Sequence, residues 1–255
     1  MSERIDGAVA DAQSDPVGAL ERHPWLGAAI DADAAAGRFA RWGRSTVIDE
    51  HAGTAVVSQA LFAALHSRAG LDAAWPIGNA GLLHVYGYLL STVPTPYGFK
   101  RERWLDGALA RAYGLPADAF VPWASPRTTL ERVTDAAASL LVRAEVRAAA
   151  VGDSAASLGL ARHTSSGPFA LAYALGGRLV TTFPVGSADE ILAEWDADPS
   201  RPRWNAVERG ALTLPSHQVL ARGTVTTSEI SGSSEGYPRI GPKKPGSLTL
   251  RMPGP

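Results

Sequence analysis

His84 and Tyr88 stand four residues apart, with Ser91 three further on, a spacing that puts all three on one face of a helix. Histidine titrates near neutrality and a phenol can donate or relay a proton, so the pair has the types needed for acid–base work. Shortly after it comes a tight basic cluster, Lys100-Arg101-Glu102-Arg103. Placed at the first turn of a helix, these cations oppose the helix dipole, and a bound anion would relieve the conflict. Tyr97 and Phe99 offer an apolar wall, and Gly98 leaves room for a ligand to approach the backbone. Lys100, Arg101, Arg103 and Tyr97 are therefore the substrate-binding candidates, and phosphate, sulfate and carboxylate all suit them. The plainer alternative is a solvated turn neutralised by Glu102.

His163-Thr164-Ser165-Ser166-Gly167 follows an expected strand. His163 is a second candidate proton carrier there, and Ser165 and Ser166 are candidate substrate donors, although a turn with local hydrogen bonds explains the same residues. Asp49-Glu50-His51 has types suited to proton transfer or metal ligation, but adjacent loop residues point in unrelated directions. Gly232-Ser233-Ser234-Glu235-Gly236 matches a nucleophile-elbow pattern. The chain continues into Tyr237-Pro238-Arg239 with neither a helix nor a later histidine, so the elbow is rejected. The surrounding stretch, with Arg239, Lys243 and Lys244, reads instead either as a loop that can close over an anion or as a disordered surface loop. There is no phosphate-binding P-loop, dinucleotide fingerprint or zinc-protease motif. The six histidines are scattered and cysteine is absent, which removes disulfides and thiolate chemistry. No cofactor and no metal are expected.

The elements that would position these residues follow from periodicity and punctuation. Residues 1–22 read as a flexible or loosely docked segment, and 23–255 as a single domain, helical over about 23–144 and β-rich over about 145–255. A helix is expected from Thr54 to Ala69, stopped by Gly70. Asn79 caps a second, with Leu82, Leu83, Tyr86, Leu89 and Leu90 as its stripe and Gly81 and Gly87 permitting close approach. Pro94 and Pro96 impose an extended turn before a third helix, which starts near Lys100 and ends at Gly114. Thr128-Thr129-Leu130-Glu131 and Ser187-Ala188-Asp189-Glu190 are capping boxes. Phe169 to Leu175, Gly176-Gly177 and Arg178 to Val185 form a hairpin whose alanine face is flat enough for a helix to pack on it. Further strands are expected at 211–214, 218–227 and 248–252, with a long loop over 228–246. The fold class is α+β: a helical half packed on a mostly antiparallel sheet.

Composition narrows the function classes. With 45% hydrophobic and 19% charged residues the chain is an ordinary folded one, so disorder is not the default. A net charge of −1 gives no overall pull towards nucleic acid or anionic lipid, and basic residues do not interleave with aromatics as on a base-stacking platform. No apolar run approaches the roughly 20 residues needed to span a bilayer, and the first residues lack a signal-peptide pattern, so a cytoplasmic protein is expected. Lysine occurs only at Lys100, Lys243 and Lys244 while arginine and alanine abound, a bias typical of a GC-rich bacterial genome. These features lead to a cofactor-independent enzyme of small-molecule metabolism, of lyase, cyclase or isomerase type. It would act on an anionic substrate, free or tethered to an acidic carrier protein, including reactions that expel sulfate or phosphate. The competing expectation is a ligand-binding module or a subunit of a hetero-oligomer, with Trp75, Trp123, Trp195 and Trp204 as interface anchors.

Overall fold

Two prolines eight residues apart open the helical layer. The computed structural model describes residues 2–49, 51–96, 98–142 and 146–200. Helix α1 (Ser2–Ser14) is followed by α2 (Pro16–Arg22) and α3 (Pro24–Ala35), each of the last two with proline in its first turn, where the missing N–H costs nothing. Asp15 caps α2 by accepting from Gly18 N at 3.0 Å. Ile5, Ala8, Val9 and Ala12 recur at helical spacing and are buried in the main core, together with Ala19 and Leu20. The first 22 residues, expected to be loosely docked, are thus an integral layer of the fold.

Short strands interrupt the helices. β1 (Arg44–Thr46), β2 (Ile48–Asp49) and β3 (Thr54–Ala55) precede α4 (Gln59–Ala69), and β4 (Ile77–Asn79) follows it. β1 pairs antiparallel with β4, and β2 with β3. Helix α4 therefore begins five residues later than its periodicity suggests, where the Ser58 hydroxyl accepts from Leu61 N at 3.2 Å. It ends, as expected, at Gly70 in the left-handed conformation.

The stretch 80–90 is helical but not amphipathic: every residue from Leu82 to Leu90 is buried. Asn79 caps it by accepting from Leu82 N at 3.0 Å. It is wound as a π-helix over Leu82–Gly87 and closes in a 3-10 turn over Tyr88–Leu90. The glycines admit neighbours rather than a ligand. A Cβ on Gly81 would lie 2.6 Å from the indole of Trp42, and one on Gly87 would lie 3.1 Å from Val57.

After it, β5 (Pro94–Thr95) and β6 (Gly98–Phe99) make a tight hairpin. The helix expected from Lys100 onward is two pieces, α5 (Glu102–Leu105) and α6 (Ala108–Ala112). Gly107, at φ 74°, breaks it: a Cβ there would lie 2.7 Å from the carbonyl oxygen of Ala117, an approach that a continuous helix does not permit. Both N-caps form. Thr128 Oγ1 accepts from Glu131 N at 3.1 Å to start α7 (Thr129–Leu141), and Ser187 Oγ accepts from Glu190 N at 3.3 Å to start α8 (Ala188–Ala197).

Between these helices lies a four-stranded antiparallel meander, β7 (Val146–Val151), β8 (Ser154–Arg162), β9 (Phe169–Leu175) and β10 (Arg178–Val185), in the order β10-β9-β8-β7. Gly176 and Gly177, at φ 58° and 74°, make the two-residue turn between Leu175 and Arg178. Period-2 alternation divides β9 between two cores. Ala170 and Ala172 face the helical core, where α7 packs on the sheet, while Leu171 and Tyr173 join Ile191 and Trp195 of α8 on the other side. Gly159 on β8 brings α7 in close, since a Cβ there would lie 3.0 Å from Leu140 Cγ. The architecture is α+β, with helices on both faces of the sheet. The strands expected at 211–214, 218–227 and 248–252, and the loop 228–246 with Arg239, Lys243 and Lys244, lie outside the described residues.

Candidate functional site

His84 and Tyr88 do share a face, with ring centroids 4.8 Å apart and planes inclined by 31°. Both are buried, at 5% and 7% exposure. The basic segment folds back over them: Lys100 Nζ lies 5.6 Å and the Arg103 guanidinium carbon 5.3 Å from the centre of the Tyr88 ring. Arg103 is walled in by two further rings, Trp104 at 5.8 Å and Phe183 of β10 at 5.3 Å. The π-wound stretch supplies the imidazole, the 3-10 turn after it the phenol, α5 the guanidinium, and the sheet one wall.

The polar partners are unevenly distributed. Lys100 Nζ forms an ion pair with Asp49, which also accepts from the backbone N–H groups of His51 at 3.0 Å and Ala52 at 2.8 Å. His84 Nε2 is 3.0 Å from Ser45 Oγ, and the His84 carbonyl accepts from Trp104 Nε1 at 2.9 Å. Three buried atoms here have no hydrogen-bond partner among the described residues: His84 Nδ1, Ser91 Oγ and Arg103 Nη1. Buried polar groups are nearly always satisfied, and each such atom calls for a water, an ion or a ligand.

Electrostatics follow from that placement. Burial holds the His84 imidazole well below its usual pKa, helped by the positive charges of Arg103 and Lys100. The Tyr88 phenol is pushed up to about 12 by burial, against the pull of Arg103. Burial also lowers the Arg103 guanidinium, against the attraction of Tyr88 and Asp49. For Asp49, burial acts upward but is outweighed by the hydrogen bonds from Lys100 and the backbone, so its carboxyl lies below the ordinary range. At neutral pH the cluster therefore holds a neutral imidazole, a neutral phenol, a closed Asp49–Lys100 pair and one guanidinium without an acid bonded to it among the described residues.

The helix-dipole argument for this anion site does not carry over. α5 is a single turn, and the Glu102 carboxylate already accepts from Phe99 N at 3.1 Å. The space left by Gly98 is taken by the same group, since a Cβ there would lie 2.1 Å from Glu102 Oε2. Arg101 points elsewhere: its guanidinium lies 4.4 Å over Phe99 and donates to the Ser91 carbonyl at 3.3 Å. Tyr97 and Glu50 lie outside the described residues.

His163, Ser165 and Ser166 occupy the exposed turn between β8 and β9. The His163 ring packs against Gly114, and Arg162 donates to the Ser165 carbonyl at 3.0 Å. Among the described residues no hydrogen bond, ion pair or ring contact joins them to His84 or Tyr88, so the structure does not bring the two groups together. Two of the tryptophans expected at an interface face inward: Trp195 is buried and Trp75 packs edge-on against Phe62 at 5.4 Å. Trp123 packs on Trp25 at 5.3 Å, and Trp204 lies outside the described residues.

Sequence reasoning missed Ser45 and Phe183, whose residue types carry no signal. It also missed a buried network around Asp33, which is fully buried and accepts from the Tyr86 hydroxyl, from Thr128 Oγ1 at 2.6 Å and from Arg38 at 3.0 Å. That network ties α3, the π-wound stretch and the start of α7 together, and among the described residues the polar contacts of Asp33 are all within the fold. No group of acidic and histidine side chains suited to a metal ion occurs among the described residues. Comparison with protein-family models, curated proteins and solved structures finds no match for this chain.

Proposed function

We infer that this chain binds a small anionic molecule at Arg103 and acts on it without a cofactor, as a lyase, cyclase or isomerase in which His84 moves the proton. The observation that carries the reading is the Arg103 guanidinium, walled by three rings, with its buried Nη1 lacking a hydrogen-bond partner among the described residues. A guanidinium so placed has its desolvation cost uncompensated until an anion takes its N–H groups. The anion also adjusts the base. Arg103 is the first of the charges holding His84 below its usual pKa, so neutralising it moves His84 back towards the range useful for proton transfer. Catalysis would rest on orientation and fixed charge.

A second reading, a binding module without turnover, is favoured by one observation: without ligand, His84 and Tyr88 are displaced from neutrality in opposite directions, which makes each a poor proton carrier. Two measurements separate the readings. Thermal unfolding against a panel of small anions, on the native chain and on Arg103→Met, should give a selective shift that the variant lacks. Absence of any Arg103-dependent shift would remove both readings. For an anion that binds, deuterium uptake from D2O into its carbon-bound positions, followed by NMR, should occur with the native chain and fail with His84→Gln. Binding without uptake in either leaves the module.

A further inference from the structure

We propose that the group held at Arg103 carries a single negative charge, in a metabolite a carboxylate, a sulfonate or a sulfate ester, and that doubly charged phosphate and inorganic sulfate are disfavoured there. The inference rests on the reading of Arg103 as an anion site and narrows what that site accepts.

Two cations approach the Tyr88 ring, and one of them already has an acid bonded to it. Lys100 is committed to Asp49. That carboxylate is itself fixed by the N–H groups of His51 and Ala52, so it is not a loose counter-ion that a ligand could displace. Arg101 turns onto Phe99 and the Ser91 carbonyl, and its neighbour Glu102 takes the Phe99 N–H. What remains is the single positive charge of Arg103, beside a histidine and a phenol that are neutral at pH 7.

A singly charged ligand brings this cluster to zero. A doubly charged one leaves a net negative charge beside Asp49, among the rings of Tyr88, Trp104 and Phe183, whose faces are themselves electron-rich and cannot hydrate it. A carboxylate also matches the planar fork of a guanidinium with two parallel hydrogen bonds. The basic run in the sequence suggests a phosphate site because it counts three cations. The structure pairs or diverts two of them.

The test is calorimetric titration of the full chain at pH 7.5 and constant ionic strength with acetate, methanesulfonate, sulfate and inorganic phosphate, on the native protein and on Arg103→Met. Methanesulfonate keeps the tetrahedral shape of sulfate with one charge fewer, so it separates charge from shape. Acetate and methanesulfonate should bind at least tenfold more tightly than sulfate and phosphate, and the variant should lose this binding. Asp49→Asn, which releases the charge of Lys100, should move the preference towards sulfate and phosphate by a similar factor. Arg103-dependent binding of sulfate or phosphate that equals or exceeds that of the singly charged probes would overturn the inference while leaving the anion site. Absence of Arg103-dependent binding by all four probes would remove the site itself.

Discussion

The guanidinium of Arg103 lies 5.3 Å from the centre of the Tyr88 ring, whose other neighbour, at 4.8 Å, is the imidazole of His84. Cation, phenol and imidazole thus form one column, its two rings buried and its guanidinium partly so, in which the charge at one end adds to burial in lowering the proton affinity at the other. The Asp49–Lys100 pair flanks the column and contributes a cation that is already answered. The following expectations test the energetics of this arrangement and of the fold that holds it.

Arg103→Met should leave the stability of the ligand-free protein within about 1 kcal/mol of the native value, or raise it. Replacing a poorly partnered buried charge by an apolar chain of similar length is often neutral or stabilising, against which stand cation–π contacts worth roughly 0.5–1 kcal/mol each. Urea unfolding of both proteins gives the comparison. A loss of about 3 kcal/mol or more would mean that Arg103 serves the fold rather than a ligand.

His84 should make the protein acid-sensitive. Its folded pKa lies below the unfolded value, so the unfolded chain binds the proton first, and stability falls as pH drops below about 6.5. Between pH 7.5 and 5.5 this one group should account for about 1.4 kcal/mol. His66 is also lowered, by burial, and supplies a background slope. The difference between the native chain and His84→Gln isolates the His84 part, and identical pH slopes for the two would contradict it.

Asp49 and Lys100 should be coupled by about 1–2 kcal/mol in a double-mutant cycle of Asp49→Asn and Lys100→Met, followed by chemical denaturation. The Asp49 carboxyl lies below its ordinary range when folded, so its contribution is complete above the unfolded pKa of about 3.9 and is lost as pH falls through the folded value. The coupling should therefore persist at pH 5 and fade only in stronger acid.

Asp33→Ala should cost about 2 kcal/mol or more, because it removes the acceptor of the buried Tyr86 hydroxyl and of Thr128 and leaves Arg38 with Glu131 as its acid partner, whereas Asp33→Asn keeps a hydrogen-bonding side chain of the same size and should cost less. Burial raises the Asp33 carboxyl despite its three partners. Its favourable contribution is therefore complete below the unfolded pKa and declines as pH rises through the folded one, opposite in direction to Asp49. Denaturant unfolding from pH 4 to 8 should show the native-minus-Asn difference shrinking with pH.

Gly81→Ala should destabilise by about 1–3 kcal/mol through overpacking, since its Cβ would meet the buried indole of Trp42. Trp42 is held by a hydrogen bond of 2.9 Å from Nε1 to Thr134 Oγ1 and has little freedom to move aside. A drop in melting temperature without change in anion binding would separate this packing role from the site.

Local chemistry was legible from residue order. The Thr128 and Ser187 caps, the Gly70 stop, the Gly176-Gly177 turn and the flat alanine face of β9 each depend on residues within a few positions of one another. For the same reason His84 and Tyr88 could be put on one face before any coordinates. Contacts between distant residues could not be read this way. The docking of α1 answers to a core drawn from the whole helical layer, and the break at Gly107 to the close approach of Ala117 beyond the helix. The site follows the same division. Residue types announced a basic run and a proton-carrying pair. Which cation is neutralised, by an aspartate 51 residues earlier, and which is left facing three rings depends on how the layers pack, because ion pairing and desolvation act through space and leave no mark in local spacing.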